Sequence, residues 1–317
     1  MSKSTKQLFI DRTALTLGIT SDKRKKAKDH FFELLKNGVL SNYMKYRGKK
    51  SNSYKGYKYE HTALFTYKSK KGVGTATIQI QPVNKDPESE NNFLRVEFNP
   101  SNFTKKGINR IFRLIEKILE VNIYQPKKRN QIFTRWNKPN FNLTRIDATI
   151  DILGITPNEF LVLADKFSKP KINRNKVTGE IMTIKHGSAK RIINIYNKRE
   201  EILESSNIIF LPLKNKTRIE ITIRPYKSLY LLYTLPNPFN GLSFYSNTLN
   251  PDEFDDEFMH DIKENGLQYA RTQARKDGKR NILDKLEKYK IELFDKDKVW
   301  NKCSIKHAFR FIKELIE

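Results

Sequence analysis

The hydrophobic pattern changes period along the chain, and each period predicts an element. From Gly74 to Ile80, Ala76, Ile78 and Ile80 alternate with Thr75, Thr77 and Gln79. Period two is that of a half-buried strand. Residues 84–92 are polar and predict a turn before the next strand-like run. Between 104 and 121, Ile108, Ile111, Phe112, Ile115, Ile118 and Leu119 recur at helical spacing. A second helix is expected near Thr156, with Thr156 as cap, Pro157 in the first turn and Glu159 completing a capping box. The Lys-, Pro- and Asn-rich stretch 168–180 predicts a hairpin loop. Pro236, Pro238, Gly241 and Pro251 mark an irregular connection. Beyond 251 the pattern is helical: Phe254, Phe258 and Ile262, then Ile282, Leu283, Leu286, Tyr289 and Leu293, then Ile305, Phe309, Ile312 and Leu315. The sum is an α+β chain with a mostly antiparallel sheet, flanking helices and a helical C-terminal region. The expected division is a sheet-bearing domain over 1–240, including a basic N-terminal segment, and a helical region over 241–317.

Three strand-like runs repeat one tetrapeptide: Arg, branched apolar, acid, apolar. They are Arg95-Val96-Glu97-Phe98, Arg145-Ile146-Asp147-Ala148 and Arg218-Ile219-Glu220-Ile221. Side chains alternate across a strand. Arg95 therefore shares a face with Glu97. Arg145 does so with Asp147, Thr149 and Asp151, and Arg218 with Glu220, Thr222 and Arg224. Gathered carboxylates can hold Mg²⁺ or Mn²⁺, and arginines beside them can grip phosphate oxygens. The same pattern also makes cross-strand ion pairs on a solvated face. A fourth run, Arg191 to Lys198, sets Asn194, Tyr196 and Lys198 on one face and Ile193 and Ile195 on the other. A phenol is a good nucleophile only once ionised, near pH 10 for the free group, so it needs a cation or metal beside it. The alternative is a partly buried ring at the sheet edge.

Charge narrows the class of partner. There are 61 Lys and Arg against 35 Asp and Glu, a formal charge of +26. That excess predicts attraction to polyanions, nucleic acid first, with binding that weakens as salt rises. A Lys-rich source composition explains the number of lysines better than it explains the net excess. The run Lys23-Arg24-Lys25-Lys26 is followed by aromatics interleaved with cations, Tyr43 to Arg47 and Tyr54 to Tyr59. Such a stretch suits base stacking and phosphate contact, or a strand with Tyr facing a core. Arg271, Arg275, Lys276, Lys279 and Arg280 form a C-terminal basic group, which can meet phosphates, a second subunit or only solvent. Cys303 is the one cysteine, which excludes a disulfide framework and points to a reducing cytoplasm. The polar, basic first residues predict no secretion signal, and no run reaches the roughly 18 apolar residues of a membrane span.

At the fourth run the chain resembles the trans-acting replication initiators of Gram-positive rolling-circle plasmids, whose relatives include transposon relaxases. The matching stretches are Arg95 to Pro100, Thr144 to Asp151, Arg191 to Glu200 with Ile-Tyr-Asn-Lys inside it, and Arg218 to Ile223. The resemblance covers about residues 90–230 and leaves the first 60 residues and the C-terminal tail unmatched. It implies DNA nicking and joining by the 1–240 domain. Tyr196 would be the nucleophile, with Asn197, Lys198 and Arg191 around it. It would take the 5′-phosphate and leave a 3′-OH primer at a double-strand origin. The five histidines are scattered, with no paired-histidine metal motif. Glu97, Asp147 and Glu220 are therefore the expected ligands of Mg²⁺ or Mn²⁺. Asp151 is a fourth candidate or a group that orients an arginine. Arg95, Arg145, Arg218, Arg271, Arg275, Lys279 and Arg280 are the expected DNA contacts. The resemblance further implies a homodimer and a host helicase as partners, and no membrane. Three alternatives stand beside it. A conjugative relaxase would use the same chemistry, and a non-catalytic DNA-binding protein would not cut. A tyrosine recombinase would need its Tyr among helices.

Overall fold

A computed structural model describes residues 8–42, 59–70, 72–82, 93–121, 141–165, 169–188, 190–206 and 214–308. The Tyr43–Arg47 run, most of the Tyr54–Tyr59 run, the expected turn at 84–92 and Phe309 onward lie outside them. The elements in chain order begin β1 (Phe9–Leu17), α1 (Ser21–Lys36), β2 (Ser41–Asn42), β3 (Tyr59–Ser69), β4 (Gly72–Pro82), β5 (Leu94–Phe98), α2 (Lys105–Leu119) and β6 (Asn142–Leu153). They continue with β7 (Phe160–Ala164), β8 (Lys171–Arg174), β9 (Ile181–Gly187), β10 (Arg191–Asn197), α3 (Lys198–Ser206), β11 (Lys216–Ile223), β12 (Lys227–Ser228) and β13 (Leu242–Ser246). Last come α4 (Asp256–Asn265), α5 (Leu267–Lys276), α6 (Arg280–Glu287), β14 (Lys290–Ile291), α7 (Lys296–Val299) and α8 (Lys302–Ala308). The architecture is α+β with mostly antiparallel strands and helices in the C-terminal region. Among the described residues no helix is long and apolar enough to cross a membrane.

The chain forms two compact units, and the division is not the expected one at 240. The first unit is 10–146 with 224–235 and 306–317; the second is 1–9, 147–223 and 236–305. The boundary falls inside β6. The segment after 240 belongs with 147–223 because β13 pairs with β7, from Leu242 against Ala164 to Ser246 against Phe160.

In the first unit the ladders β2–β3, β3–β4, β4–β5 and β5–β1 are antiparallel. The alternation in β4 holds: Ala76, Ile78 and Ile80 are buried, and Thr75 is exposed. Helix α2 forms where its period predicts. Thr104 accepts a hydrogen bond from Gly107 N at 3.2 Å, capping the helix. Its apolar stripe, from Ile108 to Leu119, is buried. The salt bridges Lys26–Glu120 (2.7 Å) and Lys117–Glu33 (3.2 Å) join α2 to α1.

The second unit has a sheet whose buried face is built from Ala148, Ile150, Ile152, Ile184, Ile193, Ile195, Ile219 and Ile221. His186 lies on this apolar face, opposite Ile193. A second, three-stranded sheet, in the order β14, β13, β7, contributes to a core with α4, α5 and α6. Leu161, Leu163 and Tyr245 meet Phe254, Phe258, Ile262, Leu267, Ala270 and Leu286 there.

The structure corrects two local expectations. The capping box at Thr156 exists, with Thr156 N donating to Glu159 Oε1 at 2.7 Å, but the turn it caps is only Pro157–Glu159. The next five residues, Phe-Leu-Val-Leu-Ala, are buried throughout and continue as β7. An apolar run without a polar face suits a strand covered on both sides better than a surface helix. Residues 168–180 are not wholly loop either. Residues 171–174 form β8, and the turn itself is held by Asn175 Oδ1, which accepts from Val177 N (2.8 Å) and Thr178 N (3.1 Å).

Gly107→Ala should destabilise the fold although alanine is the better helix former by about 1 kcal/mol. A Cβ at Gly107 would sit 2.6 Å from Tyr67 Cδ1 and 3.0 Å from Phe103 Cδ1. Overpacking of this kind costs about 1–3 kcal/mol, read as a lower denaturant midpoint at unchanged slope. His186 generates a pH prediction. Burial, then the charge of Arg191, pushes its pKa down from 6.5 to about 4. The folded state thus disfavours the protonated ring. The contribution to stability is complete above about pH 6.5 and is lost as pH falls from there towards 4. It amounts to about 3 kcal/mol. Unfolding free energy measured across that window should fall more steeply for the native chain than for His186→Leu.

Candidate active site

Tyr196 occupies the sixth position of β10, half-buried. Both neighbouring registers are regular there: Tyr196 faces Arg218 on β11 and Thr183 on β9. Two residues along, Asn194 faces Glu220 and Lys185. Paired residues point to the same side of a sheet, so these six share a face. Alternation in the sequence brings Ile193 and Ile195 to the opposite, buried face.

Arg218 is held in place. Its Nε donates to Asp151 Oδ1 at 2.7 Å and its Nη2 to Asp151 Oδ2 at 3.0 Å. This is the two-pronged geometry that fixes a guanidinium in orientation. The guanidinium carbon also lies 4.8 Å from the ring centre of Phe9. Lys216 adds a second cation 3.5 Å from Asp151. Asp151 thus orients an arginine, the second of the two roles its spacing suggested.

Lys198 does not extend the strand face. The strand ends at Asn197, a buried residue whose Oδ1 accepts from Arg199 N (3.2 Å) and Glu200 N (3.3 Å). An Asn cap followed by Glu200 and Glu201 in the first turn favours a helix start, and α3 begins at Lys198. Lys198 nevertheless stays near the phenol: its Nζ is 5.9 Å from the Tyr196 ring centre and pairs with Glu201. Arg191 is elsewhere. It starts β10, five residues and roughly 17 Å from Tyr196 at strand rise, and its position is odd where Tyr196 is even. Its Nη2 donates to Pro238 O (2.6 Å) and Asn240 O (2.9 Å), tying β10 to the 236–241 connection. Burial lowers its pKa from the usual guanidinium range.

The three expected metal ligands divide between the units. Glu97 is in the first, where Arg12 Nε lies 3.3 Å from it and Arg95 also pairs with it. Arg95 donates in addition to Gln79 Oε1 at 2.7 Å. Arg145, half-buried on β6, belongs to the first unit as well. Asp147 and Glu220 belong to the second unit, and by alternation both fall on the Tyr196 side, Asp147 buried and Glu220 half-buried. Among the described residues no group of three or more His, Cys, Asp or Glu gathers. Mg²⁺ asks for less, since one or two carboxylates together with substrate phosphate commonly hold it. Asp147 and Glu220, on the neighbouring strands β6 and β11, supply carboxylates of that kind.

The C-terminal basic group is matched by acids. Residues 241–317 hold 15 Lys and Arg and 15 Asp and Glu, so the whole excess of +26 lies in 1–240. Lys279 bridges Glu257 (2.9 Å) and Asp255 (3.1 Å), and these hydrogen bonds hold its ammonium above the usual lysine range. Arg271 and Arg275 lie on α5, half-buried and exposed, and Arg280 begins α6. Two exposed lysines that sequence reasoning did not single out stand on the Tyr196 face instead. Lys171 pairs with Lys185, and two residues along Asn173 pairs with Thr183. Their signal is a register between strands, which composition does not carry.

A scan against protein-family models finds no match for this chain, and a search of curated proteins finds none.

Proposed function

We propose that this protein nicks and rejoins a DNA strand with Tyr196 and so initiates rolling-circle replication of a plasmid. The observation that carries the reading is the placement of Tyr196 directly across from Arg218, a guanidinium fixed by Asp151, with Lys198 beside the ring. In the reaction the phenol oxygen attacks phosphorus while the phenol proton leaves. The bond from phosphorus to the 3′-oxygen breaks, and that oxygen takes a proton to become a 3′-OH. The 5′-phosphate stays on Tyr196, and attack by a 3′-OH reverses the step. Negative charge builds on the phosphoryl oxygens as the bonds exchange. Arg218, across from Tyr196, and Lys198, beside its ring, are the cations that would meet that charge. Asn197 acts at one remove, because its cap sets where the strand ends and where Lys198 emerges.

Asp147 and Glu220 would hold Mg²⁺ or Mn²⁺ on the same face. Such an ion polarises a phosphoryl oxygen. Conjugative relaxation rests on the same chemistry, and the site serves either task. The resemblance over residues 90–230 brings with it a homodimer, a host helicase and a cytoplasmic setting. The net charge of +26 supports a polyanionic partner.

Tyr196→Phe keeps the ring and removes the nucleophile. On a supercoiled plasmid carrying the protein's own gene and its flanking DNA, nicked circles should form with the native chain and Mg²⁺. They should be absent with the variant, while DNA binding is retained. Cutting by the variant at the native rate overturns the assignment; binding without cutting by the native chain supports a non-catalytic binder. After metal stripping, excess chelator should stop nicking and added Mg²⁺ or Mn²⁺ should restore it. Undiminished cutting in chelator removes the metal from the mechanism.

A further inference from the structure

The β8–β9 ladder places Lys171 directly opposite Lys185, both exposed. Like charges facing each other across a ladder are destabilising. Neither lysine makes an ion pair or hydrogen bond among the described residues. Arg218 and Lys216 on this face are matched by Asp151. Within the row Lys171, Lys185, Asn194, Glu220, the carboxylate stands two strands away from Lys185. Lysine on an edge strand often serves to block edge-to-edge pairing, and that accounts for Lys171 on β8. It does not account for Lys185, because β9 is paired on both sides.

We infer that Lys171 and Lys185 together hold a backbone phosphate of the single strand that Tyr196 attacks. The inference rests on the reading of Tyr196 as nucleophile. Strand spacing and rise put Lys185 roughly 8 Å and Lys171 roughly 12 Å from Tyr196. Both lysines therefore lie within a short length of bound strand from the scissile phosphate. Thr183 and Asn173, paired in the next row, offer neutral hydrogen-bonding groups along the same path. A phosphate between the two ammoniums replaces their repulsion with two attractions, which explains a cost that the protein bears when free.

The test uses the full chain and a fluorescent twelve-nucleotide oligothymidylate. Each phosphate neutralised on a single strand contributes about −0.7 to the slope of log affinity against log salt. Lys171→Gln with Lys185→Gln removes one such contact and should make the slope shallower by about 0.7, which weakens binding about fivefold at 0.1 M salt relative to 1 M. The melting temperature of this double variant should stay level or rise. Lys171→Glu should raise it further by setting opposite charges in register, while also weakening binding. Native slope and affinity in the double variant, or a lower melting temperature in both, overturns the inference and leaves the lysines as edge protection. Tyr196→Phe separates the strand path from the nicking chemistry. If it and the native chain both bind the oligonucleotide and the lysine variants bind equally well, only the strand path fails. If the native chain does not bind it at all, the nicking reading fails and the path with it.

Discussion

The pairing of β10 with β11 decides what stands beside Tyr196. Tyr196 meets Arg218 because Asn197 meets Thr217 and Ile195 meets Ile219, and the ladder holds that register for seven pairs. A slip of one residue would carry Tyr196 to the buried face and bring Ile195 out. That slip is prevented by the other face of the same strands. Ile193, Ile195, Ile219 and Ile221 are buried there, each worth roughly 1.5–3 kcal/mol of burial. The apolar face therefore fixes the chemistry of the polar one, without any of its residues touching the phenol.

On the polar face, position is refined by charge. Asp151 grips Arg218 through both oxygens and leaves the guanidinium little freedom to turn. This face is not an open, solvated patch: Asp147, Thr149 and Thr222 are buried on it, while Tyr196, Asn194, Arg218 and Glu220 are half-buried. Partial burial lowers the screening of each charge and strengthens its action on a bound anion. At the far end of β10, Arg191 makes two hydrogen bonds, to Pro238 O and Asn240 O. It secures a connection in the same unit rather than standing near the phenol.

The distribution of charge also matters. Residues 241–317 are balanced, with 15 basic and 15 acidic side chains, despite the overall +26. A basic cluster in the sequence, such as 271–280, takes on a different meaning once Lys279 is found between Asp255 and Glu257. These acids lie more than 20 residues away along the chain, and only folding brings them to the lysine.

Much was legible in the residues themselves. Period two fixed β4, β5, β6, β10 and β11 and the face each residue takes, since alternation is a local property of an extended backbone. Period 3.6 fixed α2, and the structure adds the cap at its start, Thr104 accepting from Gly107 N. The capping box at Thr156 is legible in the same way, but the length of the helical turn is not. The continuation is settled by pairing of Phe160–Ala164 with β13, some 80 residues later. The same limit governs the site. Sequence determined that Tyr196, Arg218, Asp151, Asp147 and Glu220 would lie on polar faces of strands. Tertiary structure decided that Arg218 stands opposite Tyr196, that Asp151 holds it, that Arg191 lies apart and that Lys171 meets Lys185. The physical reason is that a strand's faces follow from its own backbone, whereas its neighbours follow from hydrogen bonds to segments far away in the chain.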